Sequence, residues 1–362
     1  MLNLKKCPIK FKLQIRIRCL TYLMFSLHLL LIPAAMAGDR GVDNPVTATQ
    51  LESVLEKKLE NYRQWYPDLQ ILRLRGGDQI VTDMMLLGET LGKKPVNMGY
   101  EHPDELRKDL INVSVNRILQ MLQLQMPSSA LFRTDKQQAV CVLAINPPSF
   151  ASSPIHATSH LLDQPLQFIR KIPTDLLLSA EDYLEFVIDH EMFHCLQSMY
   201  IGPVPMSHKA LWGEYHQFLN EQSADYYAVG MHIRKHGSAT PFTRSLQLIR
   251  GASLASADAN HFTSKGIQQV LKLPAREFTE ADGRGVFAIA REYREKEFID
   301  YKTYIQYIAS AIEAMKILGL SELITEGLQV SQVEISPDPI EVRELVSHTR
   351  QSLAELTAEK NR

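Results

Sequence analysis

The segment His190-Glu191-Met192-Phe193-His194 sets two histidines four residues apart, with a glutamate directly after the first. On an α-helix that spacing puts both imidazoles on one face, one turn apart, within reach of a single Zn²⁺. The glutamate is rotated off that face, far enough to miss a metal and near enough to hydrogen-bond a water held there. Two neutral nitrogen ligands and a general base on one helical turn are most of a zinc hydrolase. The competing reading is a surface helix with two solvated histidines and a paired glutamate. The flanks oppose it, because Leu184, Phe186, Val187, Ile188, Met192, Phe193, Leu196 and Met199 make the segment apolar nearly all round. A helix of that kind is buried, and its imidazoles and carboxylates need partners.

Catalytic zinc takes three protein ligands and leaves one position for water. Downstream, Asn220-Glu221-Gln222-Ser223-Ala224-Asp225 lies inside a helical segment expected from about residue 210 to 236. Glu221 and Asp225 are again four apart and share a face. One can bind metal while the other accepts the free N–H of a ligand histidine, fixing its tautomer and orientation. Together the two segments resemble the gluzincin pattern, HExxH with a downstream ExxxD, of thermolysin-like and related zinc metallopeptidases. The resemblance covers residues 181–236. It implies one Zn²⁺ per chain held by His190, His194 and Glu221, with Glu191 as catalytic base and Asp225 orienting His190. Glu214, two turns before Glu221 on nearly the same face, is the rival third ligand; it lacks an acid four residues on, so Glu221 is preferred. After His194 the chain reads Cys-Leu-Gln-Ser-Met-Tyr, without the glycine and third histidine of the metzincin variant.

The elements that must carry these residues are legible in outline. Ser179 followed by Asp182 marks a helix start, and Gly202-Pro203 a stop. Leu51, Val54, Leu55, Leu59, Tyr62 and Trp65 fall near helical spacing over 50–66. Residues 71–74 and 79–81 read as two strands joined by a hairpin turn at Arg75-Gly76-Gly77-Asp78, and a second helix is expected over 104–125. Residues 139–145 form a continuous β-rich run, the best candidate for a buried strand. From 210 onward the pattern is helical: 210–236, 241–256, 264–273, about 284–317, 320–328 and 340–360. The expected fold is α+β and zincin-like. Residues 38–202 would be an α/β half carrying the HExxH helix, and 203–362 a mainly α-helical half carrying the third ligand. Whether residues 38 to about 130 form a removable pro-segment is left open. His156 and His160 also stand four apart, in a Ser/Pro-rich connection, and read as loop histidines. An oxyanion donor is expected after the catalytic helix, with Tyr215, Tyr226, Tyr227 and His232 in plausible reach.

Residues 1–37 read as a secretory signal peptide: six basic residues, an apolar run of about 14 from Cys19 to Ile32, then Ala35-Met36-Ala37. The run is short of the ~20 residues a membrane span needs; an uncleaved anchor is the alternative. The chain holds 39 basic and 41 acidic residues. Since six basic and no acidic residues precede position 38, 33 and 41 remain, a net charge near −8. That excludes nucleic acid as a partner, which calls for a basic patch. A secreted or periplasmic peptidase acting on a peptide or protein is the reading that follows, with oligomeric state open. Two alternatives share the metal: a non-catalytic zinc-stabilised envelope binding protein with a fourth ligand, and a zinc hydrolase acting on a non-peptide amide or ester. Cys141 and Cys195 are the cysteines beyond residue 37, and disulfide and buried thiols both remain open.

Overall fold

The computed structural model describes residues 46–92, 96–98, 126–162, 172–202, 211–296, 299–319 and 336–357, with Ile169 and several helical residues between Val115 and Leu124. The signal-like segment 1–37, most of the helix expected over 104–125, and the helix expected over 320–328 lie outside the described residues. The fold is mixed α+β, mostly helical with one small sheet.

The sheet has the order β1-β4-β3-β2, from β1 (Leu69–Leu74), β2 (Val96–Asn97), β3 (Ser128–Arg133) and β4 (Ala139–Ala144). β1 runs parallel to β4, with Leu69 opposite Ala139, while β3 is antiparallel to both β4 and β2. Every residue of β4 is buried. Ala139, Cys141 and Leu143 face the main core, whereas Val140, Val142 and Ala144 join Leu72, Leu74, Leu87 and Leu91 on the other side. Burial on both faces is why this strand is a continuous apolar run without alternation.

The expected hairpin after β1 is not formed. Ile80 and Val81 open a helix, α2 (Ile80–Leu91), and β1 takes its partner from β4, some seventy residues on. The Asp83 carboxylate accepts the backbone N–H groups of Arg75 and Gly76 at 2.8 and 2.6 Å, so the Gly-Gly turn feeds a helix start. Gly76 and Gly77 both adopt positive φ there.

α1 (Ala48–Trp65) precedes the sheet; α3 (Pro154–Leu162) and α4 (Ala180–Tyr200) follow it. α4 carries HExxH, is capped by Ser179, and packs on β3, β4, α1 and the next long helix, α5 (Trp212–His236). The longer helices that follow are α6 (Pro241–Ala252), α7 (Ser264–Lys272), α8 (Gly283–Lys296), α9 (Tyr301–Ile317) and α10 (Pro339–Thr357), besides several short helical turns. The single helix expected over 284–317 is thus two: Asp300 accepts the Thr303 N–H at 2.8 Å and caps a fresh start. The main core joins residues from Leu51 to Leu356 and so spans both halves of the chain.

Two ties hold α4 in place. Cys141 of β4 and Cys195 of α4, both fully buried, form a disulfide across 54 residues of sequence. On another side, Asp189 is buried against α1, with Lys58 Nζ at 2.8 Å and the Tyr62 hydroxyl donating at 2.6 Å. Burial pushes the Asp189 carboxyl up to about 6 against the pull of Lys58 and Tyr62. α1 and β1 are therefore packed parts of the core.

Removing Lys58 leaves a buried carboxylate without its cation, so Lys58→Met should cost about 3–5 kcal/mol in denaturant unfolding. An unchanged midpoint would show that Asp189 is not charged in the folded protein. Replacing both cysteines by alanine should cost about 4 kcal/mol for a loop of that length. Wild type unfolded under reductant should show the same loss, and equal stability with and without reductant would contradict the disulfide.

Candidate metal centre

α4 sets His190 and His194 one turn apart with their Nε2 atoms 3.2 Å from each other. The antiparallel helix α5 brings Glu221 opposite them, its Oε2 lying 2.9 Å from His190 Nε2 and 3.7 Å from His194 Nε2. A tetrahedral zinc with metal–ligand bonds of about 2.0–2.1 Å separates its ligands by about 3.3 Å. The three observed separations scatter around that value, so one point lies about 2 Å from all three donor atoms. These residues fit a zinc ion. The carboxylate that meets both histidines is Glu221; Glu214, the rival, lies toward Tyr301 and Tyr304, whose hydroxyl pKa values burial raises first and Glu214 further.

Asp225, one turn beyond Glu221, has no exposure to solvent. Its Oδ1 lies 2.9 Å from His190 Nδ1, which leaves Nε2 of that ring for the metal. The same carboxylate pairs with Arg250 of α6, at 2.9 Å from Nη2 and 2.8 Å from Nε, and accepts the Thr263 hydroxyl. Burial opposes its charge, but Arg250 and His190 outweigh that and hold the carboxyl well below its usual range. Burial likewise opposes charge on Glu221, and His261 and His194 keep it ionised. His190 is carried up to about 9: burial disfavours its cation, and hydrogen bonds to Asp225 and Glu221 prevail. Both carboxylates are thus held toward their charged form.

Glu191 stands apart from these donors. Its carboxylate turns to β3, where Ser129 Oγ lies 2.9 Å from Oε2 and 2.7 Å from the Glu191 carbonyl oxygen. β2 runs beside β3 only from Leu131 to Arg133. Among the described residues, Ser128–Ala130 therefore has no strand neighbour on that side.

His261 completes the cluster and was not among the residues singled out for it. It lies in the connection between α6 and α7. Its Nδ1 is 2.7 Å from Asp258, its backbone N–H also reaches Asp258, and its Nε2 is 3.1 Å from Glu221 Oε2. Burial disfavours its cation, yet Asp258 and Glu221 raise its pKa well above the ordinary value. His190, Glu221 and His261 each offer a donor atom within 4.8 Å of the others. The local Asp-x-x-His pairing was a usable signal; the approach to Glu221 across forty residues was not.

The other candidates are held elsewhere. The Tyr215 hydroxyl donates to the Ile299 carbonyl, Tyr226 stacks on Tyr293, Tyr227 meets the Tyr62 hydroxyl, and His232 meets Thr240. His156 and His160 lie on a helix, α3, rather than a loop, bonded to Ser152 and Tyr183 respectively.

Asp225→Asn keeps the side chain's shape and removes the charge that orients His190. It should weaken zinc binding about 10–100-fold, read by competition with a chelator; unchanged affinity would show that Asp225 does not support the metal donors.

No known protein family matches the chain, and no curated protein or solved structure matches it either, so the reading of this centre rests on its own geometry.

Proposed function

We propose that this chain is a zinc-dependent hydrolase with a gluzincin-like site, cleaving peptide bonds of a peptide or protein substrate with water. The observation that carries this is the triangle of His190, His194 and Glu221 donors, at zinc-ligand separations, with Glu191 kept off it. Zinc held there would lower the pKa of a water from ~15.7 toward ~7 and polarise a carbonyl. Glu191, anchored by Ser129, takes the proton of the attacking water and returns it to the leaving nitrogen. Asp225 and Arg250 keep His190 in one orientation throughout. Asp258 and Glu221 favour the cation of His261, and the Nε2–H of that cation, beside Glu221, suits it to the charge developing on the substrate's carbonyl oxygen.

Among the described residues Ser128–Ala130 has no strand neighbour on one side, and an extended peptide pairing with backbone there, next to Ser129 and Glu191, is in keeping with a peptide substrate. A small sheet packed on the HExxH helix, with the third ligand on the following long helix, supports the zincin-like reading. The disulfide supports an oxidising compartment, secreted or periplasmic. Among the described residues, no helix is long and apolar enough to cross a membrane.

One observation favours a second reading. His261 Nε2 is close enough to Glu221 to be a fourth ligand, which would close the site and make it structural. Two variants separate the readings. Glu191→Gln should keep one zinc per chain and lose about 10²–10⁴ in turnover of a peptide library; near-wild-type cleavage would remove Glu191 as the base. His261→Ala should keep the zinc and lose about 10²–10³ in kcat. Loss of zinc from that variant would instead establish the closed, non-catalytic site.

A further inference from the structure

The α4–α5 pair carries a second cluster of metal donors at its far end. His232 and His236 stand one turn apart on the last turns of α5, opposite Asp182 in the first turn of α4. His236 Nε2 is 3.1 Å from Asp182 Oδ1. One nitrogen from each ring and one Asp182 oxygen lie mutually within 4.8 Å. Eleven residues of helix separate His236 from Asp225, about 16 Å at 1.5 Å per residue, so this cluster is distinct from the centre at Glu221.

The cluster is built rather than incidental. The His232 ring is buried, bonded to Thr240 at 2.7 Å, stacked on Phe242 at a centroid distance of 4.8 Å and tilted against His236 at 4.3 Å. Only His236 of the three is exposed, so water can complete a coordination shell from that side. Lys235 occupies the ground a cation would compete for, its Nζ 3.2 Å from Asp182 Oδ1. The same ammonium is 3.0 Å from Glu185 Oε1, a partner that can keep it when Asp182 turns to a metal.

We propose that Asp182, His232 and His236 form a second metal site, taking a borderline first-row divalent cation such as Zn²⁺, that staples the start of α4 to the end of α5. Two imidazoles and one carboxylate are a donor set for such cations rather than for calcium or magnesium. An ion there ties together, from outside, the two helices that present the inner donors.

The test is the zinc stoichiometry and thermal midpoint of the purified protein, measured for wild type, His236→Ala, Asp182→Asn and Glu221→Ala. The site predicts two equivalents in wild type, with one lost in His236→Ala and in Asp182→Asn while the zinc-induced rise in Tm shrinks. Glu221→Ala should lose the other equivalent. Lys235→Met should tighten the outer site several-fold, a gain that a plain surface ion pair would not give. The proposal is overturned if His236→Ala and Asp182→Asn bind as many ions as wild type. It stands, with the inner centre failing instead, if wild type binds one ion that His236→Ala loses and Glu221→Ala keeps.

Discussion

A carboxylate without access to water, Asp225, ties together the parts of this molecule that matter for its chemistry. An isolated buried charge costs several kcal/mol, so folding must bring it partners. They come from three places: His190 on α4, Arg250 on α6, and Thr263 at the start of α7. Satisfying this one group fixes the crossing of α4 with α5 and pulls the connection before α7 inward. His261 lies two residues before Thr263, so anchoring the threonine also delivers that imidazole to Glu221. His190, Glu221 and His261 of the candidate metal centre converge as a by-product of neutralising a buried anion.

The helix that carries HExxH solves a related problem. It is apolar nearly all round, yet Asp189, His190 and Glu191 are consecutive. Successive residues project about 100° apart on a helix, so the three point to three neighbours. Asp189 meets Lys58 and Tyr62 of α1, His190 meets Asp225 and Glu221 of α5, and Glu191 meets Ser129 of β3. Each polar group has its own partner, which lets an otherwise hydrophobic element sit in the core.

What could be read without the fold was whatever is local. The two pairs at i,i+4, His190 with His194 and Glu221 with Asp225, needed only helical periodicity, and both helices begin and end within a few residues of their expected limits. The fully buried strand at 139–144 was equally plain, since a two-sided burial leaves an unbroken apolar run. Lys58, Ser129, Arg250 and His261 were not legible in their roles. Each acts through a contact made across tens of residues; nothing nearby marks the first three, and the Asp258 pairing marks His261 without revealing its approach to Glu221. The lost hairpin shows the converse error. Gly-Gly between two apolar stretches is a fair turn signal, but Asp83 captures the turn's backbone N–H groups for a helix. The cysteines belong to the same class as His261, because pairing depends on where β4 meets α4.

The fan of contacts around α4 has a mechanical meaning. A helix held from one side can roll, and an active site on it can be tuned by small axial turns. This one is held through Asp189, His190 and Glu191 in three directions, and the Cys195 disulfide, one turn beyond Glu191, fastens the sheet side a second time. Rolling it by even part of a turn would uncouple a buried ion pair, the His190 contacts to Asp225 and Glu221, and the Glu191–Ser129 bond together. α4 therefore behaves as a keyed shaft. An inserted or deleted residue between its cap and Asp189 would shift every one of these groups by about 100°, which no local repacking can absorb. Length change is tolerable only beyond the key, in the connection after Tyr200 or ahead of Ser179.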